Sequence, residues 1–96
     1  MQIARVVGSA VSTVKDPKLT GLKLLVVQRA TPDNQVFGDF FIAADTVGAG
    51  EGELVMLVEG SSARKTEKTV DIVVDAVIIG ILDSMQVNGE MVFQKS

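Results

Sequence analysis

Leu22-Lys23-Leu24-Leu25-Val26-Val27-Gln28-Arg29-Ala30, then Thr31-Pro32-Asp33-Asn34-Gln35, then Val36 to Ala44: this stretch decides the fold class. Two runs rich in aliphatic and aromatic residues flank a turn whose members act by different mechanisms. Pro32 pre-sets φ, and the Asp33 and Asn34 side chains bond to nearby backbone. A β-hairpin is predicted. The second run contains Phe37, Phe40, Phe41 and Ile42, most of the aromatic mass of a chain with four Phe and no Trp or Tyr. That strand is expected to anchor the core.

Outward from this hairpin the same grammar repeats. Gln2 to Val14 reads as a first strand, with Gly8 where a bulge is tolerated, and Asp16-Pro17 with Gly21 closes the excursion before Leu22. Beyond Ala44, the loop Asp45 to Glu53 carries Gly48, Gly50 and Gly52 in alternate positions and leads into a strand from Leu54 to Glu59. Gly60-Ser61-Ser62 breaks the pattern and supplies a cap-type Ser, so a short helix is expected around Ser62 to Lys68. A β-branched run from Val74 to Val87 follows. Asn88-Gly89 is a type I′ hairpin signal, and Glu90 to Gln94 returns as the last strand. Short strands at short spacing predict an all-β chain: an OB-like five-stranded β-barrel with one short helix and a C-terminal hairpin extension. Closure removes the exposed edges of a small open sheet. With no repeat or composition shift, residues 1–96 are expected to form a single domain.

Composition narrows function by exclusion. Nine basic against twelve acidic residues give a net charge of −3, so a polyanion meets no basic footprint, and nucleic acid is not an expected partner. The apolar run Ile72 to Leu82 is interrupted by Asp75 and is far below the ~20 residues a membrane helix needs. Met1 to Asp16 lacks the basic start and apolar run of a secretory signal. The expected chain is soluble and independent of membranes.

The chain has neither His nor Cys, which removes serine triads, cysteine dyads and the usual zinc cages from any site built within one chain. Ser61 or Ser62 with Lys65 would make a serine–lysine arrangement, but that Lys is more simply a solvated helix residue. Asp71, Asp75 and Asp83 could serve as acid–base groups or hard-cation ligands, and are better read as turn caps or pairing groups. Gly48, Gly50 and Gly52 do not match G-x-G-x-x-G, and Glu51 and Glu53 repel phosphate. Their spacing suits a tight loop with positive φ or the close approach of a neighbouring chain. No cofactor and no metal is expected, and the apolar content, 47% before the nine Gly are counted and roughly 56% with them, exceeds the usual ~45–50% on that count, which leaves surface for other subunits.

One resemblance gathers these signals. Met1-Gln2-Ile3-Ala4-Arg5-Val6-Val7-Gly8, Gly21-Leu22-Lys23-Leu24-Leu25, the segment from Ala44 to Val55 with its D-x-V-G-A-G-x-G-E core, Gly60-Ser61-Ser62-Ala63-Arg64, and Val74 to Asp83 resemble, in order, the signatures of the EutN/CcmL family of bacterial microcompartment vertex proteins. The resemblance implies a non-enzymatic shell protein in the cytoplasm. It implies a homo-oligomer, a pentamer with a hexamer as the other option, set among hexameric shell proteins. It also implies that Gly48, Ala49, Gly50, Glu51, Gly52 and Glu53, with Gly60, Ser61, Ser62, Ala63 and Arg64, lie at the subunit interface or axial pore. The other reading of an OB-like barrel is a module that grips an oligonucleotide or a protein in its groove. Gly50→Val and Arg64→Ala are the substitutions expected to disturb assembly.

Overall fold

The computed structural model describes residues 1–11, 21–60 and 75–95. Among these residues seven strands run in chain order: β1 (Gln2–Ala10), β2 (Lys23–Ala30), β3 (Val36–Asp45), β4 (Leu54–Glu59), β5 (Ala76–Ile81), β6 (Ser84–Val87) and β7 (Glu90–Gln94). The first five close into a barrel in the order β1-β2-β3-β5-β4, and β6 and β7 form a separate two-stranded sheet. The all-β, OB-like barrel with a C-terminal hairpin is therefore as expected. The predicted helix lies outside the described residues.

Every barrel pairing is antiparallel except β3 with β5. That parallel seam carries only two register pairs, Ala44 with Val77 and Asp45 with Ile78. The β2–β3 turn forms where Pro32, Asp33 and Asn34 were read as a turn. Asn34 donates its N–H to the Thr31 carbonyl at 2.9 Å and adopts a φ of 66°. Arg5 of β1 then clamps this turn, with Nε donating to Asn34 Oδ1 at 3.0 Å and Nη2 to the Asn34 carbonyl at 2.5 Å. The type I′ signal is realised too: Asn88 and Gly89 both have positive φ, 53° and 81°.

The period-two alternation builds the core. Ala4 and Val6 of β1, Leu25 and Val27 of β2, Ala43 of β3, Val55 and Leu57 of β4, and Ala76 and Ile78 of β5 point into one cluster, with Ala49 added from the glycine loop. The interior is thus filled by mid-sized aliphatic and small residues rather than by aromatics. The residues between them give a second cluster on the outside of the barrel, where Ala44 and Val77 pack with Leu22, Leu24, Val58 and Ile79. Register brings these together, since Leu24 pairs with Ala44, Ala44 with Val77 and Val77 with Val58.

Two expectations are corrected. The single run Val74 to Val87 is two strands, β5 and β6, parted at Leu82-Asp83 where the chain leaves the barrel. The β3 aromatics do not anchor the core: Phe37 is 51% exposed, Phe40 66% and Ile42 48%, and only Phe41 packs against the interior. Phe40 and Ile42 pair with Gln28 and Val26, out of phase with the buried Val27 and Leu25, so they stand on the outer face.

Candidate functional site

The glycine loop between β3 and β4 is ordered from its own first residue. Asp45 ends β3 as the buried charged residue of the described chain. Its Oδ1 accepts the N–H groups of Val47 at 3.0 Å and Gly48 at 3.2 Å, and its Oδ2 accepts that of Ala49 at 2.9 Å. A buried carboxylate is costly unless hydrogen-bonded, and three backbone donors meet that need while fixing the loop's entry. Ala49, drawn inward by the same bonds, is fully buried in the core.

The exit is fixed by a second carboxylate. Glu53 Oε1 accepts the Gly50 N–H at 2.6 Å, while Glu53 donates its own N–H to the Gly50 carbonyl at 3.2 Å. Gly52 donates to the Val6 carbonyl at 2.8 Å, and Val6 donates to the Glu53 carbonyl at 2.9 Å, which continues the β1–β4 ladder into the loop. Lys23 Nζ donates to the Ala49 carbonyl at 3.0 Å. The N–H groups of Gly48, Gly50 and Gly52 are all committed within the chain. An anion cradle needs them free, so the arrangement is not a phosphate site.

The glycines divide by backbone. Gly48 and Gly52 have φ of 78° and 88°, which L side chains rarely adopt, whereas Gly50 has no positive φ. Positive φ accounts for the outer two of the alternate glycines and not for Gly50, where an added Cβ would sit 3.4 Å from Glu53 Oε1.

Glu53 also reaches the last described residue. Lys95 Nζ lies 2.5 Å from Glu53 Oε2. The Lys95 hydrogen bond, helped by the Gly50 N–H and opposed by lost hydration, holds the Glu53 carboxyl below its ordinary range, and the same bond pushes the Lys95 ammonium upward. The stem of the C-terminal hairpin is thereby tied to the glycine loop. At the far end of the barrel, Arg29 stacks over Phe41 at 4.9 Å and pairs with Glu59 at 2.8 Å, close as an ion pair although outside hydrogen-bond geometry.

Gly48, Ala49, Gly50, Glu51, Gly52 and Glu53 thus precede β4, while Gly60, at φ 64°, follows it and donates to the Asp75 carbonyl at 2.8 Å. Gly60 and the glycine loop thus stand at opposite ends of a six-residue strand. Ser61, Ser62, Ala63 and Arg64 lie outside the described residues, as do Lys65 and Asp71. Asp75 and Asp83 are exposed and lie either side of β5. Among the described residues no group of three or more acidic, His or Cys side chains is placed to hold a metal ion. Asp45, Lys23 and Lys95 were not singled out from the sequence. The signal for Asp45 was present, an Asp followed by three residues able to donate to it; that for Lys95 was not, because 42 residues separate it from Glu53.

The chain is similar to known proteins over nearly its whole length. The Bacterial microcompartment shell vertex protein EutN of Escherichia coli is 41% identical over 95 residues, 99% of this chain and 100% of that one. The structure of CcmL from Gloeobacter violaceus superposes with a TM-score of 0.91 at 40% identity, covering 99% of this chain and 98% of that chain. The GrpN pentameric microcompartment shell protein of Rhodospirillum rubrum gives 0.81 at 42% identity, covering 91% and 99%. Residues 1–83, the barrel up to the root of the hairpin, match the family model for ethanolamine utilisation protein EutN/carboxysome, and by that match and these relatives the chain belongs to the EutN/CcmL family.

Proposed function

We propose that this chain is a structural shell subunit that assembles into five-membered rings and closes the vertices of a bacterial microcompartment in the cytoplasm. The observation that carries the reading is full-length similarity to proteins named as shell vertex proteins, one of them pentameric. A hexagonally tiled sheet closes into a polyhedron only where pentagonal units interrupt it. Hexameric shell proteins are accordingly the expected neighbours. A structural rather than catalytic role accords with a chain that has no His and no Cys.

On this reading residues 1–96 act as one unit. The loop Gly48 to Glu53 and the segment Gly60 to Arg64 contribute to the contacts of the ring, and the loop and Gly60 flank β4 at opposite ends. A heterologous ring requires two unlike patches on each subunit. Native mass spectrometry tests the ring: five chains of 10.2 kDa give about 51 kDa. A monomer at micromolar concentration overturns the proposal. Co-expression with a hexameric shell protein, with and without this chain, tests the vertex role. Closed particles by electron microscopy are expected only with it. Arg64→Ala is expected to lower the fraction of ring at a given concentration.

A further inference from the structure

Asn34 and Asn88 are the chain's two asparagines, and each adopts a positive φ in a hairpin turn, 66° and 53°. Their surroundings differ. Asn34 is pinned: its Oδ1 accepts Arg5 Nε at 3.0 Å and its carbonyl accepts Arg5 Nη2 at 2.5 Å, while the N–H of the next residue, Gln35, donates to Thr31 Oγ1 at 3.2 Å. Asn88 is exposed, and so is the residue after it, Gly89. Around Gly89 there is open space, since an added Cβ would meet nothing within 4 Å.

This pair can react with itself. The Gly89 backbone nitrogen attacks Cγ of the Asn88 side chain; the new N–Cγ bond closes a five-membered succinimide as the Cγ–Nδ2 bond breaks and ammonia departs. Water then adds to either imide carbonyl and opens the ring, to aspartate or to isoaspartate, in which the main chain runs through the former side-chain methylene. Over both steps water enters and ammonia leaves, and no oxidant or reductant is consumed. Glycine favours the attack because no side chain crowds its nitrogen.

The turn decides when the two atoms meet. Register pairing ends at Val87 with Glu90, so Asn88 and Gly89 form a two-residue turn, and their φ of 53° and 81° make it type I′. The first central residue of such a turn has a ψ of about +30°. At that angle the Asn88 Cβ and the Gly89 nitrogen lie nearly anti about the Cα–C bond, whereas ring closure needs them nearly eclipsed. The intact turn therefore holds the nitrogen away from Cγ. Opening takes little free energy, because among the described residues β6–β7 makes no extended contact with the five barrel strands, and an isolated two-stranded hairpin is at best marginally stable in water.

We propose that Asn88 is a site of spontaneous deamidation, closed while the type I′ turn is formed and reactive each time the hairpin opens. The proposal goes beyond the ring and needs only the single chain. Either product places a carboxylate two residues before Glu90, and isoaspartate adds a backbone carbon that the Val87–Glu90 register does not accommodate. Conversion thus favours the open hairpin and leaves the barrel as it was.

The test ages the full-length protein at mildly alkaline pH, at a dilution that favours the single chain, beside the same protein unfolded in urea. Peptide mapping by mass spectrometry reads the exchange of NH2 for OH at each asparagine. In the native protein Asn88 is expected to convert about tenfold to a hundredfold more slowly than in urea, with Asn34 unchanged over the same period. Equal Asn88 rates in the two conditions overturn the proposal. So does an Asn88 that stays whole in the native protein through about a hundred of its half-lives in urea, or a native Asn34 that converts as fast as Asn88.

Discussion

Asp45 is the residue on which the glycine loop turns. Removing its carboxylate strands three backbone donors and leaves Ala49 without its inward pull, so Asp45→Ala is expected to cost about 3 kcal/mol. Asp45→Asn, which keeps one acceptor oxygen, is expected to cost about half that. Urea midpoints at matched protein concentration measure both, and equal costs would show that the loop does not depend on the charged acceptor. The glycines give a sharper comparison. Gly48→Ala places a Cβ at positive φ and is expected to cost about 1–2 kcal/mol. Gly50→Ala, with no positive φ and a contact at the edge of van der Waals distance, is expected to cost less. The reverse order would mean that contact, not backbone conformation, governs the loop. Sequence reading found the loop because glycine density is visible in one dimension. It could not assign φ to individual glycines, since that depends on which N–H groups the two flanking carboxylates capture.

Among the elements, the outward face of β3 and the end of β5 were the least legible. Aromatic and β-branched content marks β3 as a strand, but it does not say which face meets water, and a chain that buries surface in an assembly places apolar residues outside as readily as inside. The turn at residues 31–35 and the Asn88-Gly89 hairpin were legible because their signals are local. The break at Leu82-Asp83 was not, because only the closure of the barrel stops β5. The corrected core makes a prediction: Leu57→Ala, at a fully buried site, is expected to cost about 2–5 kcal/mol. Phe40→Ala is expected to leave the stability of a single barrel within about 0.5 kcal/mol. Chemical denaturation at dilutions that favour the single chain compares them. The hairpin latch is a titratable element. Glu53 has a lowered pKa, so its contribution is present above the ordinary carboxylate range and fades as acid takes the pH through the lowered value. Lys95 has a raised pKa, so its contribution is full below the ordinary lysine range and fades at higher pH. The latch is therefore closed across neutral pH. Lys95→Ala is expected to move the Glu53 midpoint upward in a carboxyl-resolved NMR titration, and an unmoved midpoint would show that the ammonium does not act on it.

For the whole molecule, association and stability are linked. If the ring forms from native barrels, melting temperature rises with protein concentration, because mass action favours the assembled native state. That dependence is expected to weaken in Arg64→Ala, read by scanning calorimetry over a wide concentration range. A concentration-independent melt in wild type would show that the ring contributes nothing to the barrel's persistence.

The two-pair seam between β3 and β5 also governs how the protein is made. During synthesis β1, β2 and β3 emerge as an open meander, and nothing can cover the free edge of β3 until residues 77 and 78 have left the ribosome. For that interval the nascent chain shows an unpaired edge beside exposed phenylalanines, the kind of surface on which unfinished chains aggregate. Slow codons across the intervening thirty-odd positions are therefore expected to lower soluble yield, which a comparison of synonymous genes checks.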